Sequence, residues 1–142
     1  MIRDANISDL PRIVEMGRHF LGTSSYSKHL GENADKMSEL AEKLINSGNL
    51  LVSGNGAVTG MLGYIIHSHF MSGETVAGEL FWWVEPDHRG DGVRLLRETE
   101  RRSKQAGARY IQMIAPNEKV AHFYGKLGYE FVEATYQKKL DE

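Results

Sequence analysis

The chain has 142 residues, 41% hydrophobic and 25% charged, with a formal net charge of −2 at pH 7. It has no cysteine, which excludes disulfides, thiolate metal sites and a cysteine acyl-enzyme. The charge balance gives no general drive toward nucleic acid or an anionic membrane, and no apolar run approaches the ~20 residues needed to span a bilayer.

The N-terminus, Met1-Ile2-Arg3-Asp4, turns polar at once and has no apolar signal segment, so a cytoplasmic protein is expected. No repeat, linker or low-complexity tract divides the chain, and one domain is expected over 1–142. A short edge strand fits Met1–Arg3. Ser8 then reads as an N-cap, with Pro11 in the first turn and Leu10, Ile13, Val14, Met16, Gly17 and Phe20 forming an apolar stripe. Residues 22–31 are polar and read as a loop or broken helix. From Asn33, the spacing of Met37, Leu40, Ala41, Leu44 and Ile45 predicts a second helix that Gly48 ends.

Strand signals follow. Leu50–Ser53 and Val58–His69 flank Gly54-Asn55-Gly56, which reads as a tight two-residue hairpin. Gly73 marks a turn before a third strand, Thr75–Val84. The run Val84-Glu85-Pro86-Asp87-His88-Arg89-Gly90-Asp91-Gly92 then stops a strand and opens a helix over Val93–Ala106. Such a corner gathers free backbone N–H groups, a helix dipole and an arginine, a combination suited to phosphate. It reads equally as a plain strand-to-helix turn. Tyr110–Ala115 is an apolar strand, Asn117 caps a short helix that Gly128 closes, and Tyr129–Leu140 has room for a long final strand. The order predicts an α/β fold: a mixed sheet of six or seven strands with about four helices on its two faces. The exposed edge of the final strand leaves a homodimer open.

Two segments in this order resemble the GNAT superfamily of acyl-CoA-dependent N-acetyltransferases. V-E-P-D-H-R-G-D-G-V-R-L-L is similar to its pyrophosphate loop, V-x-P-x-x-R-G-x-G-x-G-x-x-L-L, and N-E-K-V-A-H-F-Y-G-K-L-G-Y to its N-x-x-A-x-x-F-Y-x-K-x-G-F. The first segment departs from the pattern: Arg89-Gly90 and Leu95-Leu96 both align only if the loop is two residues shorter than usual. The shorter loop offers fewer amides to a diphosphate.

The resemblance implies an N-acetyltransferase using acetyl-CoA and no metal, with direct transfer to a primary amine of a small molecule or peptide. Neither nucleic acid nor membrane is an expected partner. A non-catalytic acyl-CoA-binding or interaction module on the same fold is the alternative. The resemblance also implies that acyl-CoA lies where Thr75–Val84 and Tyr110–Ala115 splay apart. Cofactor contacts are then expected from Val84, Arg89, Gly90, Asp91, Gly92, Val93, Arg94, Asn117 and Phe123. Glu79, the only acid between Glu74 and Glu85, matches the base carboxylate, or else it faces outward and pairs with a cation. Tyr124 matches the tyrosine that protonates the leaving thiolate, or else is a packed aromatic. Of the adjacent Trp82 and Trp83, which face opposite sides of a strand, Trp82 is the candidate for the acceptor pocket, with Tyr26 and His29 of the polar loop.

Overall fold

In a computed structural model, residues 1–24 and 30–141 are described. The elements are β1 (Ile2–Asp4), α1 (Leu10–Thr23), α2 (Ala34–Ser47), β2 (Leu50–Ser53), β3 (Gly60–Ser68), β4 (Thr75–Val84), α3 (Asp91–Gln105), β5 (Tyr110–Gln112) and α4 (Glu118–Lys126). The strands form one sheet in the order β1-β2-β3-β4-β5, antiparallel throughout except for the parallel β4–β5 pair. A mixed α/β sheet with four α-helices was the expectation, and that much holds.

The two faces carry two cores. On one, Ile13 and Met16 of α1 and Ala41 and Leu44 of α2 pack with Leu50, Val52, Met61 and Trp83. On the other, Leu51, Leu62, Tyr64 and Val84 pack with Leu95 of α3. The alternation of strand side chains makes this division, since Leu51 and Val52, or Trp83 and Val84, are neighbours on opposite faces. The inner stripe of α3, with Gly92, Leu95, Leu96, Thr99 and Ser103 all buried, follows the helical period.

Four local expectations are corrected. The sheet has five strands among the described residues, not six or seven: residues 129–141 carry no ladder. No glycine or proline occurs between Tyr129 and Leu140 to turn that segment back toward the sheet. Tyr110–Ala115 shortens to Tyr110–Gln112, because pairing with β4 ends there. The first cap is Asn6, not Ser8: Asn6 accepts from the Ser8 N–H at 3.0 Å while Asp9 accepts from the Asn6 N–H at 2.9 Å. The β2–β3 connection is also wider than a two-residue turn, since Ser53 pairs with Gly60. A tight turn at Asn55-Gly56 needs positive φ at both residues, and Asn55 does not have it. Gly54 makes the bend instead, at φ 139°, where a Cβ would fall 2.1 Å from the Ala57 carbonyl oxygen.

Candidate active site

β4 and β5 pair only at Val76–Tyr110, Ala77–Ile111 and Gly78–Gln112, although β4 runs on to Val84. The strands therefore fork after Gly78. A bulge on the other side of β4 marks the same place: Phe81 stands opposite Gly63 and Glu79 opposite Tyr64, leaving Leu80 as the extra residue. The direction of the backbone groups above the fork follows from the ladder. Glu85 N–H donates to Thr59 O at 2.8 Å, so every second residue of β4 bonds toward β3. Trp82 and Val84 are the residues between, and their N–H and C=O groups point into the gap.

Glu79 sits at the crotch of this fork. It is 8% exposed, and its Oε1 accepts from the Ile114 N–H at 2.9 Å, across the opening strands. Burial pushes its carboxyl up to about 7, with the Ile114 N–H pulling the other way. The cation-paired surface residue that was the alternative reading is not what is found. Tyr124, also buried, donates its O–H to the carbonyl of the same Ile114 at 3.1 Å. Burial raises the phenol well above its usual range, and the nearby Glu79 and Tyr129 add to the effect, so the phenol keeps its proton at any working pH. Base candidate and acid candidate thus meet at the two polar groups of one residue. Ile114 was not singled out from the sequence, because its contribution is backbone and no side-chain pattern encodes it.

The corner after β4 winds as a single 3-10 turn over Pro86–His88 and passes through Arg89 and Gly90 into α3. The first-turn amides of this 15-residue helix, around Asp91, Gly92 and Val93, lie at its positive end. Gly90 has φ −60°, and a Cβ added there would meet nothing within 4 Å, so this part of the corner is open. Gly92 has a different role: a Cβ there would approach the Trp82 ring to 3.3 Å. Trp82 stacks on Tyr124 at 6.0 Å between centroids, which puts it on the α3–α4 side of the gap. Its indole Nε1 is buried without a hydrogen-bond partner among the described residues. Asn117 caps α4, accepting from the Val120 N–H at 3.0 Å, and its amide NH2 is not consumed by that bond. Phe123 lies half-buried on α4.

Arg89 and Arg94 flank the corner differently. The Arg89 guanidinium lies over the Trp83 ring at 5.0 Å, and Arg94 is exposed with Asp91 3.8 Å away. Trp83 belongs to a cluster that sequence reasoning missed. Its Nε1 donates to Glu85 Oε1 at 3.1 Å, and His19 Nδ1 of α1 lies 2.9 Å from the same oxygen. Burial works to raise the Glu85 pKa, but the His19 and Trp83 hydrogen bonds outweigh it and leave the pKa lowered. The signal available was Trp83 on the face opposite Trp82. It is Trp83, not Trp82, that stands on the α1–α2 face.

On that face a cavity of about 180 Å³ opens between α1, α2 and the bulged part of β4. Its lining includes Gly17, Phe20, Met37, Leu80 and Phe81, and none of the described lining residues carries a charged side chain. Tyr26 and His29 lie outside the described residues.

The gap suits the elongated, diphosphate-bearing thioester of an acyl-CoA: the gap-facing amides at Trp82 and Val84 and the open N-terminus of α3 are hydrogen-bond donors for a chain of acceptors ending in phosphate. No helix among the described residues is long and apolar enough to cross a membrane.

The sequence profile of the Acetyltransferase (GNAT) family matches residues 18–129. No curated protein matches the chain in sequence. Among solved structures, a transcriptional regulator from Bacillus halodurans aligns with a TM-score of 0.78 at 20% identity, covering 99% of each chain. AAC(6')-Iy in complex with the bisubstrate analog CoA-S-monomethyl-acetylneamine aligns with a TM-score of 0.75 at 18% identity, covering 99% of this chain and 98% of that one. The aminoglycoside antibiotic 6'-N-acetyltransferase AAC(6')-IG from Acinetobacter haemolyticus gives 0.71 at 20% identity, covering 99% of each. At these identities the structures share a fold with this chain, and the family match spans both motifs, the fork and the corner: the chain belongs to the GNAT acetyltransferase family.

Proposed function

We propose that the chain is an N-acetyltransferase that moves an acetyl group from acetyl-CoA to a primary amine, both bound at once. The single observation that carries the reading is the fork at Ile114, where a buried carboxyl and a buried phenol are held on the N–H and C=O of one residue beside gap-facing strand amides.

In this reading acetyl-CoA supplies an activated acyl group. The open corner takes its diphosphate on the amides of Gly90, Asp91 and Val93, with Arg89 and Arg94 as charged partners, while the Gly92 N–H donates to the Arg89 carbonyl at 3.1 Å and closes the turn. Val84 N–H bonds the pantetheine arm and Asn117 offers its free amide NH2, with Phe123 alongside. Glu79, ionised above about pH 7, accepts the proton of the incoming amine directly or through one water. Tyr124, protonated throughout, donates to the leaving sulfur. With no cysteine in the chain, no thiol acyl-enzyme competes with direct transfer. The amine enters from the α1–α2 side, where the cavity abuts Leu80 and Phe81. The apolar side chains among its described lining residues suit an amine on an apolar body better than a polycation.

Thermal unfolding with and without acetyl-CoA tests the binding half of the proposal. Millimolar acetyl-CoA raises Tm, following RT ln(1 + [L]/Kd), and Arg89→Ala weakens the apparent affinity by about tenfold or more, the loss of one charge-assisted contact. No shift at millimolar ligand would count against the reading and for an interaction module.

A further inference from the structure

Arg89 differs from the other arginines of this chain. Each of the others, from Arg3 to Arg109, has a carboxylate oxygen within 3.8 Å. Among the described residues Arg89 has none, and its guanidinium lies instead over the Trp83 ring at 5.0 Å. A ring face attracts the charge but takes up none of the N–H donors, so these stay available to an anion. The ring itself is fixed. Trp83 is 9% exposed, and the rings of His19 and Phe20 meet it edge-on at 6.5 and 6.4 Å between centroids. Its Nε1 donates to Glu85 Oε1 at 3.1 Å, and the same oxygen lies 2.9 Å from His19 Nδ1 and 3.6 Å from the Arg12 guanidinium. A hydrogen bond from an indole N–H to a carboxylate pushes electron density into the ring, which strengthens its hold on a cation.

We propose that Trp83 is a positioning residue: it holds Arg89 ordered and unneutralised at the corner, ready for the diphosphate of coenzyme A, and Glu85 fixes the ring that does so. The proposal rests on the acetyl-CoA reading of that corner. A long side chain loses rotamer freedom when it grips a ligand, and one already held on a ring has lost that freedom before the ligand arrives. A carboxylate partner would order Arg89 too, but it would compete with phosphate for the same N–H donors. A ring does not compete. The corner is two residues shorter than the pattern it resembles, so with fewer amides to share the diphosphate more of the grip falls to this side chain.

Titration calorimetry of the full chain with CoA tests this through a double-mutant cycle, with circular dichroism confirming that each variant is folded. Arg89→Ala raises Kd by about tenfold or more, and Trp83→Leu by about three- to thirtyfold. Trp83→Phe, which keeps an aromatic ring, falls between the parent and Trp83→Leu. In the Arg89→Ala chain, Trp83→Leu changes Kd by less than about twofold, because no cation is left to hold. A purely structural Trp83 would cost the same factor in both backgrounds. Should Trp83→Leu fail to fold, Trp83→Phe and Glu85→Gln, each combined with Arg89→Ala, make the same comparison. Equal factors with and without Arg89 would overturn the positioning role and leave the corner as the cofactor site. So would ring variants that bind CoA as the parent does while Arg89→Ala binds it weakly. No binding by the parent, or none lost in Arg89→Ala, would instead fall on the reading of the corner itself, and this proposal would go with it.

Discussion

Glu79 shows how one residue ties stability to chemistry. Its carboxyl is held at about 7 against an ordinary value of 4.5 because burial disfavours the charge. The folded state therefore binds this proton more tightly than the unfolded state does. The Glu79 contribution to stability is full below about pH 4.5 and falls as pH rises toward 7, by about 3 kcal/mol. Asp9 and Glu98 act with the opposite sign, since side-chain hydrogen bonds from Arg3, and from Arg101 and Arg102, hold their carboxyls down. Their contributions are lost below about pH 4.5, outside that window. Denaturant unfolding at a series of pH values should show a decline between pH 4.5 and 7 that Glu79→Gln flattens, with Gln still able to accept from the Ile114 N–H. A wild-type profile identical to that of Glu79→Gln would mean the carboxyl is not held neutral by burial. The sequence made Glu79 legible as the lone acid of an apolar strand. What it could not show was the partner, because an Ile114 N–H freed by a forking strand has no signature in side-chain order.

At the scale of elements, helices were the most legible parts. Apolar spacing marked α1, α2 and α3; Asn117 caps α4 through its side chain as its position suggested, and Asn33 does the same for α2. Turns and strand ends were less so, because they depend on partners distant in sequence. Asn55-Gly56 carries a strong local hairpin preference, yet the register of β2 on β3 sets a longer connection and moves the positive φ to Gly54 and Gly56. Gly54→Ala should therefore destabilise by about 1–3 kcal/mol, from both φ strain and the clash with the Ala57 carbonyl. Gly22→Ala, in the exposed last turn of α1 with open space around it, should be neutral or stabilise by up to ~1 kcal/mol. Chemical denaturation of the two variants beside the parent checks both. Equal midpoints for all three would show that the bend at Gly54 is not fixed.

For the whole molecule, element order was enough to give a mixed sheet covered on both faces, because a hairpin meander followed by a crossover leaves few alternatives. The strand count was overestimated for one physical reason. Residues 129–140 have strand periodicity, but periodicity says only that a segment is able to pair, not where its partner lies. The corner at residues 86–92 was legible as a strand-to-helix turn, whereas the fork was expected only through the family resemblance, since splaying depends on the Leu80 bulge and on how early β5 stops. In the proposed function, fork and corner together carry the acyl transfer, and that is the claim most exposed to experiment. Release of free CoA thiol from acetyl-CoA, followed against pH over a panel of amines with apolar and polycationic bodies, tests it directly. The account predicts turnover that rises through about pH 7, with Glu79→Gln and Tyr124→Phe each slower by about 10²–10⁴-fold and Glu79→Gln lacking that limb. Full turnover in both variants, with the same pH profile as the parent, would contradict it.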